Sequence, residues 1–142
     1  MGATPYNQKT IDEFHAKHGR GVGPWGDHLL LMTARGATSG QGITTPLVYR
    51  HDGDRYVVIA SKGGAPKHPA WLANVTTNPE VEVEVAKDAG TEEFKARARV
   101  VGAGPERDRL YAEQAKIWPG FLEYEKRTTR VIPVVVLDRL RE

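Results

Sequence analysis

The most informative absence in this sequence of 142 residues is cysteine, of which there is none. This absence excludes a disulfide scaffold, thiolate metal ligands and a cysteine nucleophile, and it is typical of proteins in a reducing cytoplasm. No apolar run approaches the roughly 20 residues that span a bilayer, and no N-terminal run is typical of a signal peptide. We therefore expect a cytoplasmic protein, and nothing in the sequence supports peripheral contact with a membrane.

An excess of one charge sign is also lacking. The 20 basic residues are nearly balanced by 18 acidic ones, which leaves a net charge of +2. Because nucleic-acid-binding domains usually carry a basic face, we expect no nucleic-acid partner and only local anion binding. The histidines are scattered, with no third ligand at useful spacing beside His15 and His18, so no metal site is expected. No G-x-S-x-G elbow or P-loop is present either.

The chain divides into residues 1–26, an N-terminal helix with a glycine-rich linker, and one folded domain over 27–142. Thr10 and Glu13 have the spacing of a capping box, which predicts a helix start at Thr10. The glycines between residues 21 and 26 formally match G-x-G-x-x-G. They follow a helix rather than a strand, so a dinucleotide-binding interpretation is not favoured.

Hydrophobic patterning predicts a protein that is mainly β with flanking helices. "HLLLMT" is typical of a strand buried on both faces, and "TTPLVYR" and "RYVVIAS" predict a hairpin. A helix from Pro69 should end before Asn78-Pro79, and another should cover residues 105–118. With "RVIPVVVLDRL" as a closing strand, about six mostly antiparallel strands indicate a barrel or barrel-like sheet.

The segments "EVEVEV" and "EFKARARVV" alternate strictly, which predicts a second hairpin that turns near residues 89–90. This register would place oppositely charged side chains across from each other. The predicted pairs are Glu84 with Lys95, Glu82 with Arg97, and Glu80 with Arg99. The alternate positions, from Val81 to Val100, should face the core.

The stretch "ASKGGAPKHPAW", residues 60–71, combines a strand end, a lysine, two glycines and an aromatic residue. Closely spaced backbone N–H groups and a helix N-terminus suit an anion, and an aromatic ring can stack on a planar ligand. A flexible turn with Trp71 in the core is the alternative, because many glycine turns bind nothing.

The segments "ASKGGAPKHPAWLANVTTNP" and "FLEYEKRTTRVIPVVVL" resemble the deazaflavin-dependent nitroreductase family of actinobacteria, over roughly residues 27–137. Members of that family use reduced coenzyme F420 and have a split β-barrel fold of the FMN-binding type. The resemblance implies that the domain 27–142 binds the deazaflavin. The implied coenzyme contacts are Met32, Ala37, Thr38, Ser39, Gly40, Gln41, Ile59, Ala60, Ser61, Lys62, Ala70, Trp71 and Asn74.

One loop departs from the family pattern. Ala37, Thr38 and Ile43 stand where the family usually has arginine or lysine to hold the coenzyme's phosphate and glutamate tail. Because a charge-assisted hydrogen bond contributes about 1.5–3 kcal/mol, weaker binding of the tail is expected. Lys62, Lys67 and Arg35 are candidates to compensate.

The resemblance also implies that an aromatic wall binds the substrate: Trp118, Phe121 and Tyr124, spaced so as to share one helix face. Tyr124 and Ser61 are the candidate catalytic residues. The implied activity is hydride transfer to a small planar acceptor (a quinone, enone or nitroaromatic) by a monomer or homodimer. Two alternatives stay open, an FMN-dependent reductase on the same fold and a non-catalytic binding protein for an apolar ligand.

Overall fold

Six strands close into a barrel in the computed structural model, which describes residues 5–140, with side chains from residue 7 onward. Neighbouring strands are antiparallel throughout, in the order β1-β2-β3-β6-β5-β4. This confirms the predicted barrel. Residues 1–4 and 141–142, at the ends of the two predicted segments, lie outside the described residues. The strands are β1 Leu29–Arg35, β2 Gly42–Asp52, β3 Arg55–Ile59, β4 Glu80–Lys87, β5 Gly90–Val101 and β6 Val134–Arg139.

Four α-helices flank the barrel, and α2 and α3 follow the predicted boundaries closely. The helices are α1 Pro5–Ala16, α2 Ala70–Thr77, α3 Pro105–Ile117 and α4 Gly120–Lys126. Pro69 precedes α2 as its N-cap, and α2 ends at Asn78 immediately before Pro79. Between residues 5 and 140, no helix has the length and apolar character needed to cross a membrane.

The core consists of the barrel interior and two outer layers. Inward-facing residues such as Met32 and Val58 pack with Trp71 of α2, so α2 is part of the barrel core. A second layer packs α3 and α4 on the outside of β3 and β6. A third packs α1 on the outside of β1 through Phe14 and Leu31. Strand β1 is therefore buried on both faces, as its apolar run predicts.

The β4–β5 hairpin forms, but its predicted register is wrong by two residues. Lys87 pairs with Gly90, so the turn is the two residues 88 and 89. Asp88 takes a left-handed backbone with φ of 52°, which aspartate tolerates better than most residues. The observed cross-strand pairs are Glu80 with Arg97, Glu82 with Lys95, and Glu84 with Glu93.

The like-charged pair in this hairpin is relieved by neighbouring polar groups. The Glu84 carboxylate contacts His15 Nε2 at 3.0 Å and accepts a hydrogen bond from Thr91 Oγ1 at 2.7 Å. His15, although exposed, thus ties α1 to β4. Because a contact between residues so far apart in the chain depends on packing, no local pattern indicated it.

Two further local predictions are corrected. Helix α1 begins at Pro5 rather than at Thr10, so Thr10 lies inside the helix and is buried. Glu13 instead binds Lys17 and accepts the N–H of Gly23 at 2.8 Å. Val100, predicted to face the core, is 38% exposed. Val101 is buried instead, because α3 covers the outer face of the barrel at this end of β5.

Asp52, at the end of β2, ties the β2–β3 hairpin to α3. Its carboxylate accepts hydrogen bonds from Arg109 at 3.2 and 3.3 Å and from Arg55. These bonds, that of Arg109 first, lower the pKa of Asp52 from its ordinary value of 3.8 to about 2. A depressed carboxyl pKa stabilises the folded state above the unfolded pKa, and that contribution is lost as the pH falls toward the folded pKa.

Asp52→Asn is therefore expected to lower the melting temperature at neutral pH. It should also flatten the loss of stability between about pH 4 and pH 2, since the variant has no carboxylate to protonate there. Thermal melts recorded across this pH range test both effects. Asp54→Asn is the matched control, because Asp54 is exposed on the same turn and forms no ion pair within residues 7–140. Equal pH profiles for Asp52→Asn and the parent protein would contradict the assignment.

Candidate functional site

The segment after β3 makes a tight left-handed turn, which we call the 60–65 turn. Lys62, Gly63 and Gly64 have positive φ angles of 47°, 63° and 82°. Glycine adopts this conformation at little cost, but lysine rarely does. Such strained backbone persists where the surrounding structure enforces it, often at functional sites.

The Arg130 guanidinium provides that enforcement. Its Nε donates to the Ala65 carbonyl at 2.8 Å, its Nη2 to the Ser61 carbonyl at 2.7 Å, and its Nη1 to the Ala60 carbonyl at 3.3 Å. Nη1 also contacts His68 Nδ1 at 2.9 Å. One planar group thus fixes three carbonyls of the turn at once, which a lysine ammonium would not do with the same geometry.

The charge of Arg130 has no carboxylate partner among residues 7–140. Burial lowers the pKa of Arg130, as expected for a cation taken from water without an anionic partner. The turn therefore lies against a positive charge, and the carbonyls of Ala60 and Ser61 are already occupied. Donor groups are what remains available on the turn.

Helix α4 lies directly against the 60–65 turn. A Cβ atom on Gly64 would lie 2.6 Å from the Tyr124 carbonyl oxygen and 3.0 Å from Arg127 Cβ. Arg127 Nη1 also donates to the Gly63 carbonyl at 3.4 Å. Only glycine permits this approach, so Gly64 sets the distance between the turn and Tyr124.

Two contacts from α3 hold α4 in this position. The Tyr111 hydroxyl donates to the Phe121 carbonyl at 2.6 Å, and burial raises the Tyr111 pKa well above its ordinary value. Arg107, almost fully buried, bonds Glu125 at 2.8 Å and the Ile132 carbonyl at 2.9 Å. No local pattern in the sequence indicates a role for Arg107, Tyr111 or Arg130, since their partners are distant in the chain. The only signal was that Arg130 begins the segment "RVIPVVVL".

The three predicted wall aromatics do not share one helix. Trp118 caps the end of α3, and Pro119 and Gly120 separate it from Phe121 and Tyr124 on α4. Phe121 is only 7% exposed and packs edge-to-face on Tyr124, with ring centroids 5.6 Å apart. Trp118 and Tyr124 are half-buried beside the same outer core. The three residues are close together, but only Trp118 and Tyr124 retain an open surface.

Asn74 joins α2 to the loop between β1 and β2. Its Oδ1 accepts the Ala37 N–H at 2.9 Å, and the side chain is 8% exposed. The loop closes on itself through bonds from Gly36 N–H to the Gln41 carbonyl and from Gly40 N–H to the Gly36 carbonyl. The predicted loop contacts Ala37, Thr38, Ser39, Gly40 and Gln41 are all exposed.

The donor set fits the polar edge of a deazaflavin ring. The Ser61 hydroxyl, the Asn74 Nδ2 and the Lys62 ammonium have no hydrogen-bond partner in residues 7–140. All three are donors, and the ring edge offers carbonyl and nitrogen acceptors. Of the other predicted contacts, Met32 is fully buried and Trp71 is 8% exposed in the barrel core. Ile59 and Ala60 are buried at the end of β3, and Ala70 is exposed at the start of α2.

Comparison with known proteins places the chain in a family of reductases. Residues 6–139 match the model of the F420H2-dependent quinone reductase family. An F420H2-dependent quinone reductase of Mycobacterium tuberculosis is 39% identical over 118 residues, which cover 78% of this chain and 72% of that protein.

Solved structures agree with this result. The structure of an F420H2-dependent reductase, FDR-A, superposes with a TM-score of 0.68 at 34% identity, covering 78% of this chain and 94% of that one. A second structure, described as a domain-swapped dimer, has a TM-score of 0.69 at 32% identity, covering 94% and 95%. The chain thus belongs to the F420H2-dependent quinone reductase family. It is an oxidoreductase with the split-barrel fold, and its coenzyme is F420.

The contact between Gly64 and α4 is testable with a matched pair of variants. Gly64→Ala combines the strain of a φ of 82° with a clash against the Tyr124 carbonyl, whereas Gly63→Ala meets open space at a φ of 63°. Both variants should lose about 1 kcal/mol of stability through backbone strain. Gly64→Ala should lose more, together with most of the activity, because α4 must move. Chemical denaturation and steady-state turnover measure the two effects, and equal behaviour of the variants would refute the contact.

Proposed function

We propose that this chain transfers hydride from reduced F420 to a quinone, with Ser61, Lys62 and Asn74 holding the coenzyme. The observation that supports the proposal is the packing of the 60–65 turn against α4, together with the shared barrel core of Ala60 and Trp71 of α2. The bound reduced deazaflavin supplies the hydride, so the protein needs neither a nucleophile nor a metal. Its contribution is orientation and electrostatics.

The turn is suited to an acceptor-rich and partly anionic ring edge. Arg130 occupies the carbonyls of Ala60 and Ser61, so the turn presents donors outward. The partly buried Arg130 charge favours electron density on the side of the ring next to the turn. Ser61 and Asn74 then fix the ring in its plane, and the backbone of Ile59 and Ala60 supports it at the end of β3. Met32, Ala70 and Trp71 provide packing surface.

The acceptor is proposed to lie against α4 and the end of α3. Tyr124 provides the only phenol among the three wall residues, so it is the proposed proton donor, with water as the alternative source. The Trp118 Nε1 is buried without an acceptor in the described residues. An apolar, planar quinone suits the wall formed by Trp118, Phe121 and Tyr124, and enones and nitroaromatics are the next candidates.

We also propose three properties of the whole protein: its domain division, its location and its oligomeric state. Residues 27–142 are proposed to form the coenzyme-binding domain, with residues 1–26 as an N-terminal helix and linker. A cytoplasmic location and a monomeric or homodimeric state stay predictions. Size-exclusion chromatography with light scattering distinguishes the two oligomeric states.

The proposed function is tested by titrating the purified protein with F420, and with FMN in parallel, while following fluorescence quenching. Turnover is then measured with F420H2 and menadione. Micromolar or tighter F420 binding with quinone-dependent oxidation of F420H2 is expected. Preference for FMN would favour a flavin-dependent reductase instead. A tightly held apolar ligand without turnover would favour a non-catalytic binding protein.

Tyr124→Phe tests the proposed proton donor. The variant should bind F420 as the parent does but lower kcat by on the order of a hundredfold, a typical effect of removing a general acid. Tyr49→Phe is the matched control, because it removes a phenol from β2 outside the proposed site. A kcat for Tyr124→Phe equal to that of Tyr49→Phe would assign the proton to water.

A further inference from the structure

A groove of about 630 Å³ lies on the barrel next to the loop between β1 and β2. It is formed by the end of β1, the start of β4 and the adjacent part of β5. Three exposed cations line it, Arg35, Lys95 and Arg97. In the described part of the chain, none of the three forms an ion pair, which distinguishes them from arginines such as Arg99 and Arg139.

Two carboxylates also line the groove, so its charge is mixed but not neutral. Glu80 lies across from Arg97 and Glu82 across from Lys95 in the β4–β5 register. Neither carboxylate approaches a cation within ion-pair distance among residues 7–140. The other lining residues are uncharged, which leaves one net positive charge and three cations whose donors are free for an incoming anion.

The groove begins where the proposed ring site ends. Asn78 follows Asn74 by one helical turn, and its Nδ2 donates to the Arg35 carbonyl at 3.3 Å. Gly40 and Gly42, which flank the exposed Gln41 of the loop, form part of the wall. Ala37 bonds Asn74 and lies two residues from Arg35, which lines the groove, so the loop connects the proposed ring site with the groove.

We propose that this groove binds the anionic tail of the coenzyme, its phosphate and glutamate carboxylates, through Arg35, Lys95 and Arg97. The inference rests on the proposed function. The loop itself has no cation at Ala37, Thr38 or Ile43, whereas Arg35 directly precedes it and lines the groove together with Lys95 and Arg97. The negative charges of Glu80 and Glu82 oppose tail binding. Removal of the cations should therefore weaken binding of the tail, and removal of the carboxylates should strengthen it.

The test compares the binding of F420 with that of the same deazaflavin ring without its phosphate and glutamate tail, by fluorescence quenching at low salt. The variants are Arg35→Gln/Lys95→Gln/Arg97→Gln and Glu80→Gln/Glu82→Gln. Lys116→Gln is the control, because Lys116 is an exposed cation on α3 outside the groove. Melting temperatures report whether each variant is folded. All substituted side chains in the groove are exposed or line open space, so normal folding is expected.

Removing the three cations should weaken F420 binding about tenfold, as expected for three exposed charge contacts. It should leave binding of the tailless ring unchanged. Removing the two carboxylates should tighten F420 binding alone, and added salt should reduce both differences. Equal effects on both ligands, or none on F420, would overturn the proposed tail site while leaving the ring site intact. If neither ligand binds the parent protein, the proposed function fails, and the tail site with it.

Discussion

The bonds from the Arg130 guanidinium to the carbonyls of Ala60, Ser61 and Ala65 are the interaction on which the rest of the site depends. They hold a turn whose lysine and two glycines all have left-handed backbone. A partly buried cation without a carboxylate is costly, and it is retained where several acceptors meet it. Here the backbone itself supplies them. The result is a turn with its acceptors occupied, its donors free and a positive charge behind it.

The second half of the site follows from this turn through close packing. Gly64 lets the Tyr124 carbonyl approach the backbone, and α3 holds α4 there through Tyr111 and Arg107. The 60–65 turn and α4 are thus held together by direct contacts. Hydride transfer requires this, because the donor carbon and the acceptor must stay within a narrow range of distance and angle. In the proposed site, this polar network positions the groups that face the coenzyme and the acceptor.

Much of the fold could be predicted because its signals are local. The apolar run of β1, the hairpins and the α2 boundaries between Pro69 and Pro79 depend on burial periodicity and on proline's missing N–H. The candidate site could be proposed as a segment, 60–74, because its turn residues and Trp71 are contiguous, and its role in binding stays a prediction. Predictions failed where two alternatives differ little in local energy. The β4–β5 turn shifted to residues 88–89 because Asp88 accepts a left-handed backbone, and both registers keep the same valines inward.

Residues without local signals could not be assigned from the sequence. Arg130 reads as an ordinary basic residue before a strand, and its function depends on carbonyls about 65 to 70 positions earlier. Likewise, Trp118, Phe121 and Tyr124 have helical spacing, yet Pro119 and Gly120 place Trp118 at the end of another helix. Their spacing alone does not reveal that Phe121 is buried in the outer core.

The six strands, the boundaries of α2 and α3 and the family could be read from the residues alone, because these follow from side-chain periodicity, backbone stereochemistry and a contiguous motif. Tertiary structure alone decided which groups are free to bind. Whether Ser61, Lys62 and Asn74 keep open donors depends on what Arg130 and Ala37 already occupy. Whether Arg35, Lys95 and Arg97 lie together depends on the closure of the barrel. Both are properties of contacts between distant segments, which only the folded chain brings within hydrogen-bond range.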